Sequence, residues 1–367
     1  MWFIGSTLLG SGSINGFGVA TYSTGYLSVG SHTIIAVYSG NTNFTNSTGT
    51  LSGGQTVKTP TITFLGSFPN PSEYGKSVQF IAVVLPRLSG NTPTVIFNNG
   101  VPEVNNPAAN TLHIPTGTVI FMNGATQIGT ATLGALGIAT FNSSLLPAST
   151  NSITAEYLGD TNSGSSTSSP ITQTVKYGTS TKVTSSSSTS TFGQSVTFTA
   201  AISSSGSNPT GTVTFTDGNS TIGNNVPLVG NVATLTLNSL SVGIHNIGAT
   251  YSGDNSFDSS SGNLTQTVNK ANSSTKVTSS PNPSNHGQPI TFTATISAAS
   301  PGTGTPTGTV TFKDGNTTLG TGKLNAVGVA TYSTSSLSKG TRNITAVFAG
   351  DSNFNGSTST AILQIVN

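Results

Sequence analysis

A short motif that combines an aromatic residue, a glycine and an acid or amide occurs four times in this chain. The copies read AVYSGNTNF, AEYLGDTNS, ATYSGDNSF and AVFAGDSNF, at residues 36–44, 155–163, 249–257 and 346–354. A carboxylate beside an amide could bind a metal ion, and an aromatic ring beside polar groups could bind a sugar. The same residue types also form the turn at which one strand ends and the next begins.

Differences among the four copies favour the turn. Phe348 stands where the other copies have Tyr, and Asn41 stands where they have Asp, so neither the hydroxyl nor the charge is required. Calcium needs about six to eight oxygen ligands, usually with several carboxylates, and even the third copy adds only Asp258 to Asp254. The sequence therefore predicts a structural turn, with no metal and no cofactor. The last aromatic residue of the motif is expected to anchor the returning strand in three copies: Phe44, Phe257 and Phe354.

Residues that could support catalysis are scattered. The four histidines fall in separate parts of the chain: His32, His113, His245 and His286. There is no HExxH motif, no GxSxG elbow and no phosphate-binding loop. His32 and His245 lie two residues before an apolar Ile, a place that Asn151 and Arg342 occupy in the other copies. This pattern predicts a polar position at a strand edge and a protein that is not an enzyme, with no catalytic and no cofactor-binding residues.

Two lysines in STKVTS segments, Lys182 and Lys276, raise the possibility of a Lys–Asn isopeptide cross-link. Their neighbours Val183 and Val277 are the residues expected to point inward. Because successive side chains of a strand point to opposite faces, both lysines are expected to point outward, away from any such bond.

Composition excludes several partners. Charged residues make up 5% of the 367 residues, against about 25% in an average soluble protein, and the net charge is +2. The eleven Lys and Arg residues are scattered singly, which argues against a nucleic-acid partner. No run approaches the roughly eighteen apolar residues of a membrane span. Cysteine is absent, so disulfide and thiol chemistry are excluded.

The chain is internally repetitive. The aromatic residue of the motif recurs at Tyr38, Tyr157, Tyr251 and Phe348, which are 119, 94 and 97 residues apart. The segments PTGTVIFMNG, PTGTVTFTDG and PTGTVTFKDG begin at residues 115, 209 and 306, and TQTV closes two of the repeats. A repeat of this size is typical of one small β-sandwich. We therefore predict four modules, named module one to module four: 1–58, 59–175, 176–268 and 269–367.

Within each module the apolar residues alternate with polar ones, which is the pattern of strands buried on one face. Apolar residues alternate through Val196–Ile202 and again through Ile247–Tyr251. About seven short strands, with Asp-Gly or Asn-Gly hairpin signals, predict an all-β fold. We expect tandem immunoglobulin-like antiparallel β-sandwiches that follow one another like beads on a string.

The order of these motifs resembles the bacterial Ig-like repeat family, which is found in tandem in large bacterial surface and secreted proteins. The resemblance rests on PTGTVTFxDG, GVATYSTSSL, GDxNF and TQTV, and it is most specific in modules three and four. It implies an immunoglobulin-like sandwich and an extracellular or cell-surface location, with neighbouring modules of the same parent protein as partners. The family is diverse in its ligands, so the resemblance implies no site residues.

Module one departs from this pattern. Aligning GVATYST at 18–24 with 328–334 places Met1 opposite Thr311 and Trp2 opposite Phe312. The first two strands and part of a third are then missing. We expect that the chain is a fragment of a longer repeat protein; the alternative is that another chain supplies the strands.

Module two carries an insertion near residues 86–114. Pro115 lies 37 positions after Val78, where Pro209 lies 13 after Val196 and Pro306 lies 16 after Ile290. We expect an additional hairpin that projects from one end of the sandwich. Two functions remain open: a structural spacer or stalk, and an adhesive module that binds a surface glycan or a protein through this insertion or the module-end loops.

Overall fold

The computed structural model describes residues 1–87, 92–106 and 113–367. These residues form β-strands and loops, and none of them forms a helix long and apolar enough to cross a membrane. The chain divides into two compact units, Met1–Tyr177 and Gly178–Asn367.

Module one has six strands: β1 Trp2–Ile4, β2 Thr7–Gly10, β3 Gly30–His32, β4 Ile34–Tyr38, β5 Ser47–Thr50 and β6 Gln55–Val57. Four of them form an antiparallel sheet in the order β2-β1-β4-β5, and β3 pairs with β6.

The strands of module two are β7 Thr61–Phe68, β8 Ser72–Glu73, β9 Val78–Pro86, β10 Thr94–Asn98, β11 Val101–Asn105, β12 Thr118–Asn123, β13 Thr126–Thr132, β14 Ile138–Ser143, β15 Thr150–Tyr157, β16 Ser166–Thr167 and β17 Ile171–Lys176. One sheet has the order β14-β9-β7, and the other has the order β13-β12-β15-β17-β8, with β16 beside β15. Strands β10 and β11 form a separate hairpin.

Module three contains β18 Thr179–Ser185, β19 Thr189–Thr191, β20 Val196–Ser204, β21 Thr212–Asp217, β22 Ser220–Pro227, β23 Val232–Leu237, β24 Gly243–Tyr251 and β25 Ser260–Asn269. Its sheets have the orders β18-β20-β23 and β19-β25-β24-β21-β22.

Module four contains β26 Ser273–Ser280, β27 Ile290–Ala298, β28 Thr309–Asp314, β29 Thr317–Lys323, β30 Val329–Thr334, β31 Gly340–Gly350, β32 Asn355–Thr358 and β33 Ile362–Val366. Its sheets have the orders β26-β27-β30 and β29-β28-β31-β32, with β33 also paired to β31.

The alternation read from the sequence sets the inner face of each sheet. In module four Phe292 of one sheet and Phe312 of the other are both fully buried in a single core, with ring centroids 6.3 Å apart. The residues between the buried positions are mostly threonines, and they pair across the outer face: Thr197 Oγ1 lies 2.8 Å from Thr236 Oγ1. The all-β fold of tandem immunoglobulin-like sandwiches is thereby confirmed.

The Asp-Gly and Asn-Gly signals mark tight hairpins between neighbouring strands. Gly124, Gly218 and Gly315 follow the last residue of β12, β21 and β28, with φ angles of 57°, 54° and 54°. Glycine adopts these positive angles without a steric penalty, which explains its place in all three hairpins.

Strand β9 of module two is buried on both faces. Its residues Phe80, Ala82 and Val84 face the main core between the two sheets. Ile81 and Val83 point the other way and form a second apolar cluster that includes Val95 and Phe97 of the β10–β11 hairpin.

The predicted hairpin therefore exists, but its predicted placement is wrong. It lies on the outer face of the sheet β14-β9-β7 and does not project from one end of the sandwich. The Phe97 ring lies so close to Gly66 that a Cβ atom there would be 2.5 Å from it. The sequence signal for this packing was the run VQFIAVVLP, because a strand buried on both faces lacks the alternation of apolar and polar residues. Residues 88–91 and 107–112 of the insertion lie outside the described residues.

Module one keeps the contacts expected from its alignment with module four. The Tyr22 hydroxyl donates to the Leu9 carbonyl, as the Tyr332 hydroxyl does to the Leu319 carbonyl at 2.7 Å. The rings of Trp2 and Tyr22 stack with centroids 5.5 Å apart, where those of Phe312 and Tyr332 are 6.0 Å apart.

The inner face of module one is nevertheless uncovered. None of residues 1–58 is buried, whereas Ile344, Ala346 and Phe348 of module four are 0–1% exposed. Of the matching residues, Ile34 and Tyr38 are half-buried and Ala36 is exposed. An open groove of about 770 Å³ lies over this face, lined by residues that include Trp2, Tyr22, Ile34 and Ala36.

The expectation that Phe44 anchors the returning strand is wrong. Phe44 is 68% exposed, whereas Phe257 and Phe354 are 3% and 1% exposed. The Phe354 ring is covered by Phe192 of the preceding module, and no residue of 1–58 takes that place over Phe44.

We predict that residues 1–58 are the least stable part of the chain. Each large apolar side chain left uncovered forfeits about 1.5–3 kcal/mol of stabilisation, and the exposed strand edges favour self-association. Amide hydrogen exchange should be fast across 1–58 and slow in the strands of 178–367. Deleting 1–58 should leave the unfolding temperature of modules three and four unchanged. Slow exchange across 1–58 in a strictly monomeric sample would contradict this prediction.

Candidate functional site: the module-end turns and the junction between modules

The acidic residue of the repeated motif organises a turn in each of modules two to four. In module three, Asp254 Oδ1 accepts hydrogen bonds from the backbone N–H groups of Ser256 and Phe257, at 2.7 and 2.9 Å. Asp254 Oδ2 accepts from the Thr210 N–H at 3.1 Å and from the Thr210 hydroxyl at 2.5 Å. Asp160 and Asp351 accept the corresponding four bonds in modules two and four.

The second partner of each carboxylate was missed in the sequence. It is the first threonine of the PTGTV segment, at positions 116, 210 and 307, which precedes a strand of the larger sheet. The Tyr157 and Tyr251 hydroxyls add a bond to the carbonyls of Thr116 and Thr210, at 2.8 and 2.6 Å. The carboxylate thus ties the turn to a segment 44 residues earlier. The recurrence of PTG in three modules was the signal that could have identified this partner.

Module one has Asn41 in place of the aspartate, and it shows which hydrogen bonds of the turn form without the negative charge. Asn41 Oδ1 accepts from the N–H groups of Asn43 and Phe44, at 2.8 and 2.9 Å. The amide reproduces the two bonds within the turn, as expected for an Asn or Asp turn residue.

These contacts set the protonation states of the motif. Burial alone would raise the pKa of Asp254, but the donors on Thr210, Ser256 and Phe257 outweigh it and lower the pKa below 3.8. The pKa values of Asp160 and Asp351 are lowered in the same way. Burial, with the nearby carboxylate, raises the pKa of Tyr157 and of Tyr251 to about 12, so both hydroxyls remain donors at neutral pH.

In modules two and four the turn also holds the residues that enter the module. Lys270 Nζ donates to the Asp351 carbonyl, the Ala271 N–H donates to the Asn353 carbonyl at 2.9 Å, and the Asn355 N–H donates to the Ala271 carbonyl at 2.8 Å. The same three bonds join the Lys58–Thr59 linker to the turn of module two, at 2.5, 2.8 and 2.9 Å. The turn is therefore the attachment point of the incoming linker.

Modules three and four also contact each other directly. Phe192 of module three packs edge-on against Phe354, with ring centroids 5.6 Å apart. The Thr303 N–H donates to the Phe192 carbonyl at 3.3 Å, and the Thr303 hydroxyl donates to the Gly193 carbonyl at 2.8 Å. Gly193 has a φ of +77°, and a Cβ there would lie 2.4 Å from Thr303. These contacts fix the position of module four relative to module three.

The polar position before the core Ile has one role in all four modules. Its side chain bonds the carbonyl four residues earlier: His32 to Ser28, Asn151 to Pro147, His245 to Ser241 and Arg342 to Ser338, at 2.7, 3.1, 2.8 and 3.0 Å. In modules two to four it also contacts the last residue of the neighbouring strand: Asn123, Asp217 or Asp314. The His245–Asp217 pair, at 2.7 Å, is thus one version of a repeated structural contact.

The electrostatics of His245 follow from these partners. Its side chain is 7% exposed, and burial alone would lower its pKa. The Ser241 carbonyl and the Asp217 carboxylate outweigh burial and raise the pKa above 6.5.

The other candidate residues from the sequence do not form a common site. Lys182 and Lys276 are exposed, and so are His113 and His286. Within 1–87, 92–106 and 113–367, no group of three or more His, Cys, Asp or Glu side chains could hold a metal ion.

The β10–β11 hairpin presents an apolar surface. Ile96 and Val101 are 61% and 63% exposed. A cavity of about 300 Å³ at the end of the hairpin is lined by apolar residues that include Leu85, Val104 and Ile138. The hairpin strands carry neither Trp nor Tyr, the side chains that a stacked sugar would require.

Comparison with known proteins gives one family match. The model of the bacterial Ig-like domain (group 3) matches residues 101–176, 183–269 and 277–367. A search of curated protein sequences returns no match.

Several solved structures share the fold at low identity. A structure from a 1.5-MDa bacterial ice-binding adhesin is 15% identical, covers 85% of this chain and 99% of its own, and has a TM-score of 0.33. A three-domain segment of titin is 12% identical, with coverages of 85% and 99% and a TM-score of 0.35. The Escherichia coli adhesin FdeC is 14% identical, with coverages of 83% and 96% and a TM-score of 0.28. These similarities concern the fold alone.

We predict that Asp254→Ala destabilises module three by about 1–3 kcal/mol, because four hydrogen bonds lose their ionised acceptor, two of them partly buried. Asp254→Asn should cost less, since Asn41 shows that an amide retains the bonds within the turn. Both values can be measured by denaturant unfolding of the full chain. Millimolar calcium should leave the melting temperature of the unmodified chain unchanged. A large calcium-dependent rise that Asp254→Asn and Asp351→Asn abolish would show that the motif binds metal.

We predict that module three loses stability as the pH rises above 6.5. The pKa of His245 is higher in the folded state than its ordinary value of 6.5. Its contribution is therefore fully present below pH 6.5 and is lost as the pH rises through the folded-state pKa. His245→Asn, which copies Asn151 of module two, should remove this pH dependence in calorimetry. An unchanged pH dependence in that variant would contradict the assignment.

Proposed function

Because the chain belongs to the bacterial Ig-like domain family (group 3), we propose that it is a spacer, a stalk segment of a bacterial cell-surface or secreted protein. The modules of this family are non-catalytic structural or adhesion modules. As a spacer, the chain holds other domains of the parent protein at a distance. The proposed location is extracellular or at the cell surface, and the proposed partners are neighbouring modules of the same parent protein.

The observation that carries this proposal is the way one module is joined to the next. The Phe192–Phe354 contact and the two Thr303 hydrogen bonds leave little freedom between modules three and four. A spacer needs such junctions, because a freely hinged pair of modules would collapse under thermal motion and lose reach.

The surface chemistry supports the same function. The outward residues of the strands are mostly Thr and Ser that hydrogen-bond one another, such as Thr291 with Ser333 at 2.8 Å. With only 5% charged residues, the surface offers few groups for electrostatic recognition of a partner.

One feature favours the alternative, adhesive function. The β10–β11 hairpin exposes Ile96 and Val101, and it pairs with no further strand among the described residues. A protein ligand could pack on these side chains or extend the hairpin as a third strand.

We predict that the chain acts through its length. The experiment places the full chain between a bacterial surface anchor and a small binding domain, and measures the capture of receptor-coated beads. Capture should fall when 178–367, one compact unit, is removed. Cells that display the chain without the binding domain should not attach to host cells. Specific attachment of those cells that Ile96→Ser with Val101→Ser abolishes would instead establish the adhesive function.

A further inference from the structure

In each complete module the segment that follows the first strand, which we name the second segment, lies beside the last strand and runs parallel to it. Ser72 of β8 pairs with Val175 of β17, Ser190 of β19 pairs with Val268 of β25, and Ser284 bridges to Val366 of β33. Because the two segments are parallel, the chain enters the one at one end of the module and leaves the other at the opposite end. Tension on the two ends of the chain reaches the second segment through the first strand. It therefore slides the second segment along the last strand, which loads all the bonds between them together instead of opening them one at a time.

In modules two and four the second segment carries prolines where it meets the last strand. The segments are Pro69–Ser72 and Pro281–Ser284, both reading PNPS, and module three has STS in place of NPS. Proline has no N–H group to donate to a strand pair, so two PNPS residues cannot contribute donors to the ladder.

An asparagine side chain takes the place of the missing backbone bonds. Asn282 Nδ2 donates to the Leu363 carbonyl at 2.7 Å, and the Ile365 N–H donates to Asn282 Oδ1 at 3.0 Å. Asn70 makes the same two bonds with Thr172 and Thr174, at 2.7 and 3.0 Å.

Module three shows which backbone group the amide replaces. There the Thr267 N–H, which corresponds to the Ile365 N–H, donates to the backbone carbonyl of Ser188 at 3.1 Å. Ser188 occupies the position that Asn282 occupies in module four. The Asn carboxamide therefore substitutes for one peptide group of the strand pair.

A glutamine of the last strand strengthens the same contact from the other side. Gln364 is 0% exposed, and its Nε2 donates to Ser284 Oγ at 3.2 Å and to the Pro281 carbonyl at 3.1 Å. Gln173 makes the matching bonds to Ser72 and Pro69 in module two. Because this amide is buried, water has no access to replace its bonds when the strands are pulled.

We propose that these residues form an amide clamp that resists tension along the chain. The clamp consists of Asn282, Ser284 and Gln364 in module four, and of Asn70, Ser72 and Gln173 in module two. It keeps the second segment and the last strand in register when the two ends of a module are pulled apart. The inference rests on the proposed function, because only a stalk under load needs such a device.

The test is single-molecule pulling of the full chain from its two ends. Asn282→Ala should make module four unfold about three- to tenfold faster at a given force, the factor expected for the loss of one net hydrogen bond. The unfolding of modules two and three should not change. Ser284→Ala, which removes one hydroxyl, should have a smaller effect in the same direction.

Asn325→Ala is the matched control. Asn325 lies between β29 and β30, and its Oδ1 accepts the N–H groups of Val327 and Val329, both at 3.0 Å. This variant also loses two amide bonds of module four, but none between the second segment and the last strand. It should change the melting temperature of module four without changing its unfolding rate under force.

A second pulling geometry separates mechanical resistance from ordinary stability. The chain has no cysteine, so handles can be attached at Lys323→Cys and Lys339→Cys, both exposed sites of module four. Force between these handles does not slide the second segment along the last strand, and Asn282→Ala should then have no effect on the unfolding rate. Equal effects of Asn282→Ala in both geometries, or an effect no larger than that of Asn325→Ala, would overturn the proposal. The pulling measurement does not depend on the bead-capture result. The proposal of a spacer and the proposal of a clamp can therefore be contradicted separately.

Discussion

A single aspartate in each complete module connects segments that are far apart in the chain. The carboxylate of Asp351 orders its own turn and holds Thr307, while its carbonyl receives Lys270 of the incoming linker. The ordered turn in turn places Phe354 where Phe192 of the preceding module can cover it. Turn, sheet and junction therefore depend on one connected set of hydrogen bonds, and the junction inherits its geometry from the module's own fold.

The parts of this structure that follow from local pattern could be predicted from the sequence. Alternation of apolar and polar residues identifies the inner face of strands such as β20, and Asp-Gly identifies the hairpins, because both signals lie within a few neighbouring residues. The turn interpretation of the GDxNF motif is of the same kind. The partners of the motif are different, since Thr210 lies 44 residues from Asp254.

The same limit explains the amide contacts. Gln173 and Ser72 are 101 residues apart, and nothing in the spacing of TQTV reveals that its glutamine is buried against the segment that follows the first strand. Phe44 was misjudged for a related reason, because the equivalent Phe354 packs on Phe192 and pairs with Ala271, and both partners are distant in sequence. The position of the β10–β11 hairpin was the one long-range feature with a local signal, the unbroken apolar run of β9.

The low content of charged residues in these modules affects how readily proteases can cleave them. Module three contains two Lys or Arg residues: Lys176 lies in the paired strand β17, and Lys182 lies inside the paired strand β18. A trypsin-like protease needs an extended, unpaired segment around a basic residue, and module three in its folded state offers none. The threonine-rich outer faces that replace charged residues thus also remove the bonds that such proteases cut. A β-sandwich whose surface is hydrated through hydroxyl groups is suited to long exposure outside the cell, where a cleaved chain is not repaired.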